Sequence, residues 1–188
     1  IETDDPLAHT DRSDAIVICN PNNPDGRHFL SDELENARAR LAARGGWLIV
    51  DEAYADLNPS LSMAPFGGRE GLVILRSFGK FFGLAGVRLG AAIVPQNIRM
   101  LLSERLGTWP GAGAALQIGT RAYKDLEWHT DTRRRLKATR QQLDDVLQCS
   151  GIKVSGGTDL YRFIEVDQAH DLWRKLAHHG IYVRRFDW

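Results

Sequence analysis

"LRSFGKFFGLAGVRLG", Leu75 to Gly90, places one lysine, Lys80, among glycines and aromatics. Ser77 stands three residues before it and Arg88 eight residues after it. Exposed lysines usually keep polar company, but Phe78, Phe81, Phe82 and Leu84 offer this one no charge partner. The setting predicts an amine shielded from water, and a desolvated amine is a nucleophile near neutral pH. The apolar run "LVIL" (72–75) reads as a buried strand, which puts Lys80 just past a strand's carboxyl end.

Further apolar runs lie on either side. "AIVIC" (15–19), "WLIV" (47–50) and "LGAAIV" (89–94) read as buried strands. Between the first two, Ser31 opens a helix with Asp32 and Glu33 in its first turn. Leu34, Ala37 and Leu41 follow at helical spacing, and Gly45 closes it. Pro95 ends the fourth strand, and residues 97–106 read as a helix. Strand, helix, strand with continuous apolar strands predicts an α/β architecture, a mostly parallel sheet with flanking helices.

The pattern changes near residue 126. Residues 126–151 read as one long helix with a buried stripe of Trp128, Leu136, Leu143, Val146 and Leu147, ended by Gly151. Gly156 and Gly157 suggest a turn between two strands. A helix from Ala169 to His178 and a strand over 181–186 follow. The expected division is 1–125, part of a large domain, and 126–188, part of a smaller α+β C-terminal domain.

Bulk properties narrow the function. Twenty-four basic residues balance twenty-four acidic ones in 188 residues. That argues against a strongly basic nucleic-acid surface, and "RRRLK" (133–137) reads as a solvated helix face. No apolar run is long enough to cross a bilayer, and no signal peptide is visible. The six histidines show no ligand spacing with cysteines or acids, so no metal is expected. Cys19 and Cys149 lie far apart and read as buried or partly buried thiols of a cytoplasmic protein. The chain opens without methionine, which suggests a fragment.

Polar residues gather after three of the strands: "NPNNPDG" after the first, "DEAY" after the second, "RSFGK" after the third. In an open α/β sheet, ligands bind beyond the carboxyl ends of strands. Asn23, Asp51, Tyr54, Ser77, Lys80 and Arg88 are therefore expected to meet in one crevice. Singly, each has a plain reading: Asp51 as a helix cap, Tyr54 as a core aromatic, Asn23 as a turn residue.

Taken jointly and in this order, the three motifs resemble the pyridoxal-phosphate aminotransferase superfamily, and the resemblance runs over essentially the whole chain. It implies a pyridoxal-phosphate-dependent transferase-like fold with pyridoxal 5'-phosphate as cofactor. Lys80 would join the cofactor aldehyde covalently, and Asp51 would pair with its protonated pyridine nitrogen. Asn23 and Tyr54 would bind its phenolic oxygen, with Ser77 and Arg88 on its phosphate. Residue chemistry agrees: a carboxylate keeps the ring protonated, and a guanidinium fork with a hydroxyl suits a phosphate dianion. Gly79, Gly83 and Gly86 would let the backbone turn tightly around the lysine.

Within the superfamily, Leu75–Gly90, "GTDLYRF" (157–163) and "GIYVRRFDW" (180–188) look most like threonine-phosphate decarboxylases of cobalamin biosynthesis. Histidinol-phosphate aminotransferases are the close alternative. They usually carry a serine where Gly79 stands and a small-Asn-Phe stretch in place of "TDLYRF". A third alternative is a pyridoxal-phosphate-sensing domain of a transcription regulator. The decarboxylase likeness implies a phosphorylated amino acid substrate and a homodimer, without nucleic-acid or membrane partners. Asn23 and Arg184 would contact the substrate. On the expected last strand only one of Arg184 and Arg185 can face inward. Relatives of this kind extend beyond both ends of the chain. The piece alone is thus expected to be inactive and poorly stable, with an unpaired sheet edge.

Overall fold

A computed structural model describes residues 3–186. Four strands form the main sheet in the order β1 (Ala15–Cys19), β2 (Trp47–Asp51), β3 (Leu72–Ser77), β4 (Gly90–Ile93). The first three run parallel; β4 is antiparallel to β3. The register aligns Cys19 with Asp51, Asp51 with Leu75, and Ser77 with Gly90. The parallel carboxyl ends therefore present their polar residues on one side of the molecule.

Helix α1 (Ser31–Ala42) covers one face of this sheet. Its Leu34 and Leu41 pack with Ile16, Ile18, Leu48, Val50, Leu72, Ile74 and Met63 in one core. Ser31 is the first helical residue rather than the cap. The Glu33 carboxylate instead reaches back to the Leu30 N–H at 2.7 Å. Gly45 (φ +74°) turns the chain out of this helix.

The strands are not buried on both faces, as their continuous apolar runs suggest. Burial alternates along β1, and Val17 is 68% exposed. The run length reports that both faces are apolar, and α1 covers the face that carries Ile16, Ile18, Leu48 and Val50. The outer edge of β1 likewise has no strand beside it among the described residues.

Helices α2 (Gln96–Leu106) and α3 (Gly113–Lys124) follow β4. Helix α3 has no counterpart in the expected elements: it opens on small residues in "GAGAAL", without a side-chain cap. Helix α4 (Leu126–Cys149) starts at an Asp125 cap that accepts from the Trp128 N–H. Its buried stripe is confined to the first half. Trp128 and Leu136 pack on Phe78, Phe81 and Phe82, whereas Leu143 and Val146 are exposed. Arg133 is no solvated face residue either: it donates to the Asp56 carbonyl at 2.7 Å and lies over the Phe81 ring.

The C-terminal part holds an antiparallel hairpin, β5 (Val154–Thr158) with β6 (Tyr161–Ile164), and helix α5 (Ala169–His178). Gly156 and Gly157 lie inside β5, beside a bulge, not at the turn. Residues 181–186 form no strand, since no neighbouring strand offers them a ladder among the described residues. Inward–outward alternation therefore does not separate Arg184 from Arg185. Asp187 and Trp188, which end the last stretch quoted for the resemblance, fall outside the described residues. Cys19 is half-buried, but Cys149, at the end of α4, is exposed rather than buried.

Candidate active site

The turn after β1 brings Asn23 over Tyr54, which follows β2. Asn23 Nδ2 donates to the Tyr54 hydroxyl at 2.9 Å. That leaves the phenol's proton and the second amide N–H free to donate elsewhere. Behind the turn, fully buried Asn20 holds the segment in place. It donates to the Phe29 and Leu61 carbonyls and accepts from the Phe29 N–H. Asp51 ends β2, half-buried, with one carboxylate oxygen accepting from the Ala53 N–H at 3.0 Å.

Lys80 Nζ lies 5.6 Å from the centre of the Tyr54 ring. With Ser77, Gly79, Leu84, Ala85, Arg88, Leu89 and Gly90 it lines a pocket of about 310 Å³. Ser77 Oγ accepts from the Gly79 N–H at 3.2 Å. Arg88 adopts left-handed backbone (φ 54°), and its guanidinium donates to the Ala85 carbonyl at 3.3 Å. A hydroxyl, a guanidinium and an amine thus share one small cavity, and a phenol–amide pair stands beside it.

Cys19 reports on the same region. Burial and then the Asp51 carboxylate push its thiol up to about 11, against the opposing pull of Lys80. Of the six residues expected in one crevice, Ser77, Lys80 and Arg88 line one pocket, the Asn23–Tyr54 pair adjoins Lys80 through the Tyr54 ring, and Asp51 ends β2 in register with Cys19. Arg184 is not among the residues lining that pocket. Its guanidinium lies over the Phe186 ring, 5.0 Å from the centroid.

Two expectations are corrected. Lys80 is exposed, not dry. Its sequence neighbours Phe78, Phe81 and Phe82 turn away into a separate aromatic cluster with Tyr123 and Trp128. They are core for the α3–α4 side and build no apolar wall around the amine. Of the three glycines, only Gly83 (φ +66°) requires its freedom. A Cβ at Gly79 would meet nothing closer than 3.4 Å, and one at Gly86 would point into open space.

Sequence reading also passed over a charged cluster on the reverse side of the same strand ends. Glu52 is fully buried. Its carboxylate accepts from Ser62 Oγ at 2.6 Å, the Met63 N–H at 2.5 Å and Arg76 at 2.6 Å. The other arm of Arg76 pairs with Asp56. Burial pushes the Asp56 carboxyl up against that attraction, and its second oxygen has no hydrogen-bond partner among the described residues. The available signal was alternation: Glu52 and Arg76 each adjoin a site residue on a strand end and must face the other way.

A larger cavity, about 940 Å³, runs along the outer edge of β1. It includes Cys19, Asn22 and Arg27 but gathers none of the six crevice residues. Among the described residues no His, Cys, Asp and Glu group could hold a metal ion, and no helix is long and apolar enough to cross a membrane.

Residues 3–187 match the family model for aminotransferase class I and II. A threonine-phosphate decarboxylase from Pseudomonas aeruginosa is 41% identical over 95% of this chain and 54% of its own. A histidinol-phosphate aminotransferase from Ruminiclostridium cellulolyticum is 31% identical over 91% of this chain and 48% of its own. Among solved structures, a histidinol-phosphate aminotransferase from Sinorhizobium meliloti, in complex with pyridoxal-5'-phosphate, superposes with a TM-score of 0.81. It is 20% identical, and the match covers 95% of this chain and 51% of that one. The chain thus spans about half the length of the relatives it matches, and it belongs to the aminotransferase class I and II family.

Proposed function

We propose that this chain forms part of a pyridoxal-phosphate-dependent lyase. The reaction is decarboxylation of L-threonine O-3-phosphate to (R)-1-amino-2-propanol phosphate, a step of cobalamin biosynthesis. The convergence of the Asn23–Tyr54 pair, Lys80 and the Ser77–Arg88 pocket at the strand ends carries the cofactor assignment. The donor set fits the group: an amine for an aldehyde, a carboxylate for a pyridinium, two donors for a phenolic oxygen, a hydroxyl and a guanidinium for a phosphate. The 41% identity to a threonine-phosphate decarboxylase supports the choice of reaction.

When bound, the cofactor supplies an electron sink conjugated with the substrate's α-carbon. Lys80 would hold the cofactor at its aldehyde carbon and would supply the proton that replaces at Cα the carboxylate lost as carbon dioxide. Asp51 keeps the pyridine nitrogen protonated. Asn23 and Tyr54 orient the ring through its phenolic oxygen, and Ser77 and Arg88 anchor the phosphate. Asn23 and Arg184 are the substrate contacts in this reading, Arg184 at the anionic end. Residues 1–125 serve as part of the cofactor-bearing domain and 126–188 as part of the smaller one. The reading makes the enzyme a cytoplasmic homodimer, and the exposed apolar residues Met100, Leu101, Leu106 and Trp109 support the homodimer as surface a second copy would cover.

Histidinol-phosphate transamination is the second reading, favoured by the 31% identity to such an enzyme. Incubating the full-length protein with L-threonine O-3-phosphate separates the two. Release of carbon dioxide without a keto acid is the expected result. Conversion of histidinol phosphate that depends on 2-oxoglutarate, with no carbon dioxide from threonine phosphate, selects the second reading.

A further inference from the structure

The turn that carries Asn23 is gripped from the C-terminal side of the molecule. Tyr161, at the start of β6, donates its hydroxyl proton to the Asn22 carbonyl at 2.5 Å. Its ring stands edge-on to Tyr54, with centroids 5.2 Å apart and planes at 73°. One residue thus touches both members of the Asn23–Tyr54 pair's support: the backbone just before Asn23 and the ring of Tyr54. The Gly157 N–H donates to the Asp25 carbonyl at 2.8 Å, on the other side of Asn23.

This approach is backbone against backbone. A Cβ at Gly156 would fall 2.2 Å from the Asp25 carbonyl oxygen, and one at Gly26 would fall 2.0 Å from that of Gly157. Glycine at both positions is what lets the hairpin close on the turn. Burial, reinforced by Tyr54, pushes the Tyr161 phenol well above its ordinary value, so its hydroxyl stays a donor at neutral pH.

We propose that Tyr161 is a positioning residue of the active site: it sets the Asn23–Tyr54 pair at the angle required to donate to the cofactor's phenolic oxygen. The proposal rests on the cofactor-binding roles given to Asn23 and Tyr54 above. A donor that reaches an oxyanion favours the charged form, so loosening the pair raises the pH at which that oxygen's state changes. Tyr161→Phe removes the bond to Asn22 and keeps the ring contact with Tyr54. Tyr161→Leu removes both.

The test uses full-length protein loaded with pyridoxal 5'-phosphate. The pH midpoint of the bound cofactor's visible band is measured for wild type, Tyr54→Phe, Tyr161→Phe and Tyr161→Leu, alongside thermal melting of each. Tyr54→Phe is expected to raise the midpoint most. Tyr161→Phe raises it by about half a pH unit, a fraction of one hydrogen bond. Tyr161→Leu raises it further. A tyrosine with only a structural role would lower the melting temperature and leave the midpoint in place. That result in Tyr161→Phe, with Tyr54→Phe shifted, overturns the positioning role and leaves the cofactor roles standing. An unmoved midpoint in Tyr54→Phe overturns the role of Tyr54 and the proposal with it. Should Tyr161→Leu fail to fold, Tyr161→Phe decides alone.

Discussion

On the reverse side of the β2 and β3 ends, Glu52, Ser62 and Arg76 form a closed set of short polar contacts. On the open side, Asp51, Ser77 and Lys80 make few: one backbone bond each for Asp51 and Ser77, and the Tyr54 ring beside Lys80. The residues are sequence neighbours, 51 with 52 and 76 with 77, separated only by strand alternation. The same two strands therefore use one set of charges to fix themselves and leave the next set available. A charge already paired holds the fold; a charge left underpaired at a strand end is available to a ligand.

The comparison breaks most sharply at Lys80. Lys80→Ala in the full-length protein is expected to abolish the visible absorbance of the bound cofactor. Turnover should fall roughly a thousandfold or more, because the covalent attachment point and the proton carrier are lost together. The melting temperature of the cofactor-free protein should stay near wild type, since the exposed amine contributes no buried contact. An absorbance band that survives the substitution removes Lys80 from its role.

Arg76→Met probes the other side. It strips a buried carboxylate, Glu52, of its cation and removes the guanidinium paired with Asp56. Breaking a buried pair by removing one partner costs about 3–5 kcal/mol. The expected outcome is a large drop in melting temperature. Ser77→Ala, one residue along, should leave melting unchanged and weaken cofactor binding by roughly tenfold, the scale of one charge-assisted hydrogen bond. If Arg76→Met melts like wild type, the reverse-side cluster does not hold the strand ends.

This division explains what could be read from the sequence. The helix with Leu34, Ala37 and Leu41 was legible because periodicity and burial agree there, and runs such as 15–19 and 47–50 were legible as strands though not in their one-sided burial. The strand-end placement of the candidate residues was legible because each motif directly follows an apolar strand run. Lys80's exposure was not legible. Its phenylalanine neighbours are close in sequence, but they turn into a buried cluster while the amine stays exposed. Tyr161 was equally hidden, since its partners Asn22 and Tyr54 lie more than a hundred residues away in sequence. Helix α3 lacked both a cap and a long apolar stripe, so no local signal announced it. The end of α4 failed in the opposite sense: Leu143 and Val146 carry the pattern, but nothing among the described residues packs on them.

Cys19 stands at the boundary of the two sides, aligned with Asp51 in the β1–β2 ladder, and gives the finest test. Only the thiolate is alkylated at an appreciable rate. Burial, with the Asp51 carboxylate second, raises the thiol to about 11, so its anionic fraction at pH 8 is small and grows as pH climbs toward that value. In a Cys149→Ser background, which removes the exposed thiol, iodoacetamide should label Cys19 slowly at pH 8 and faster at each step upward. Asp51→Asn removes the carboxylate's contribution and leaves burial unchanged. The anion then forms more easily, and labelling at fixed pH should quicken by about threefold, the change in thiolate fraction for half a pH unit. An unchanged rate would mean that Asp51 spends its charge elsewhere. The open side would then hold its carboxylate as tightly as the reverse side holds Glu52, and the contrast between the two sides would fail at that residue.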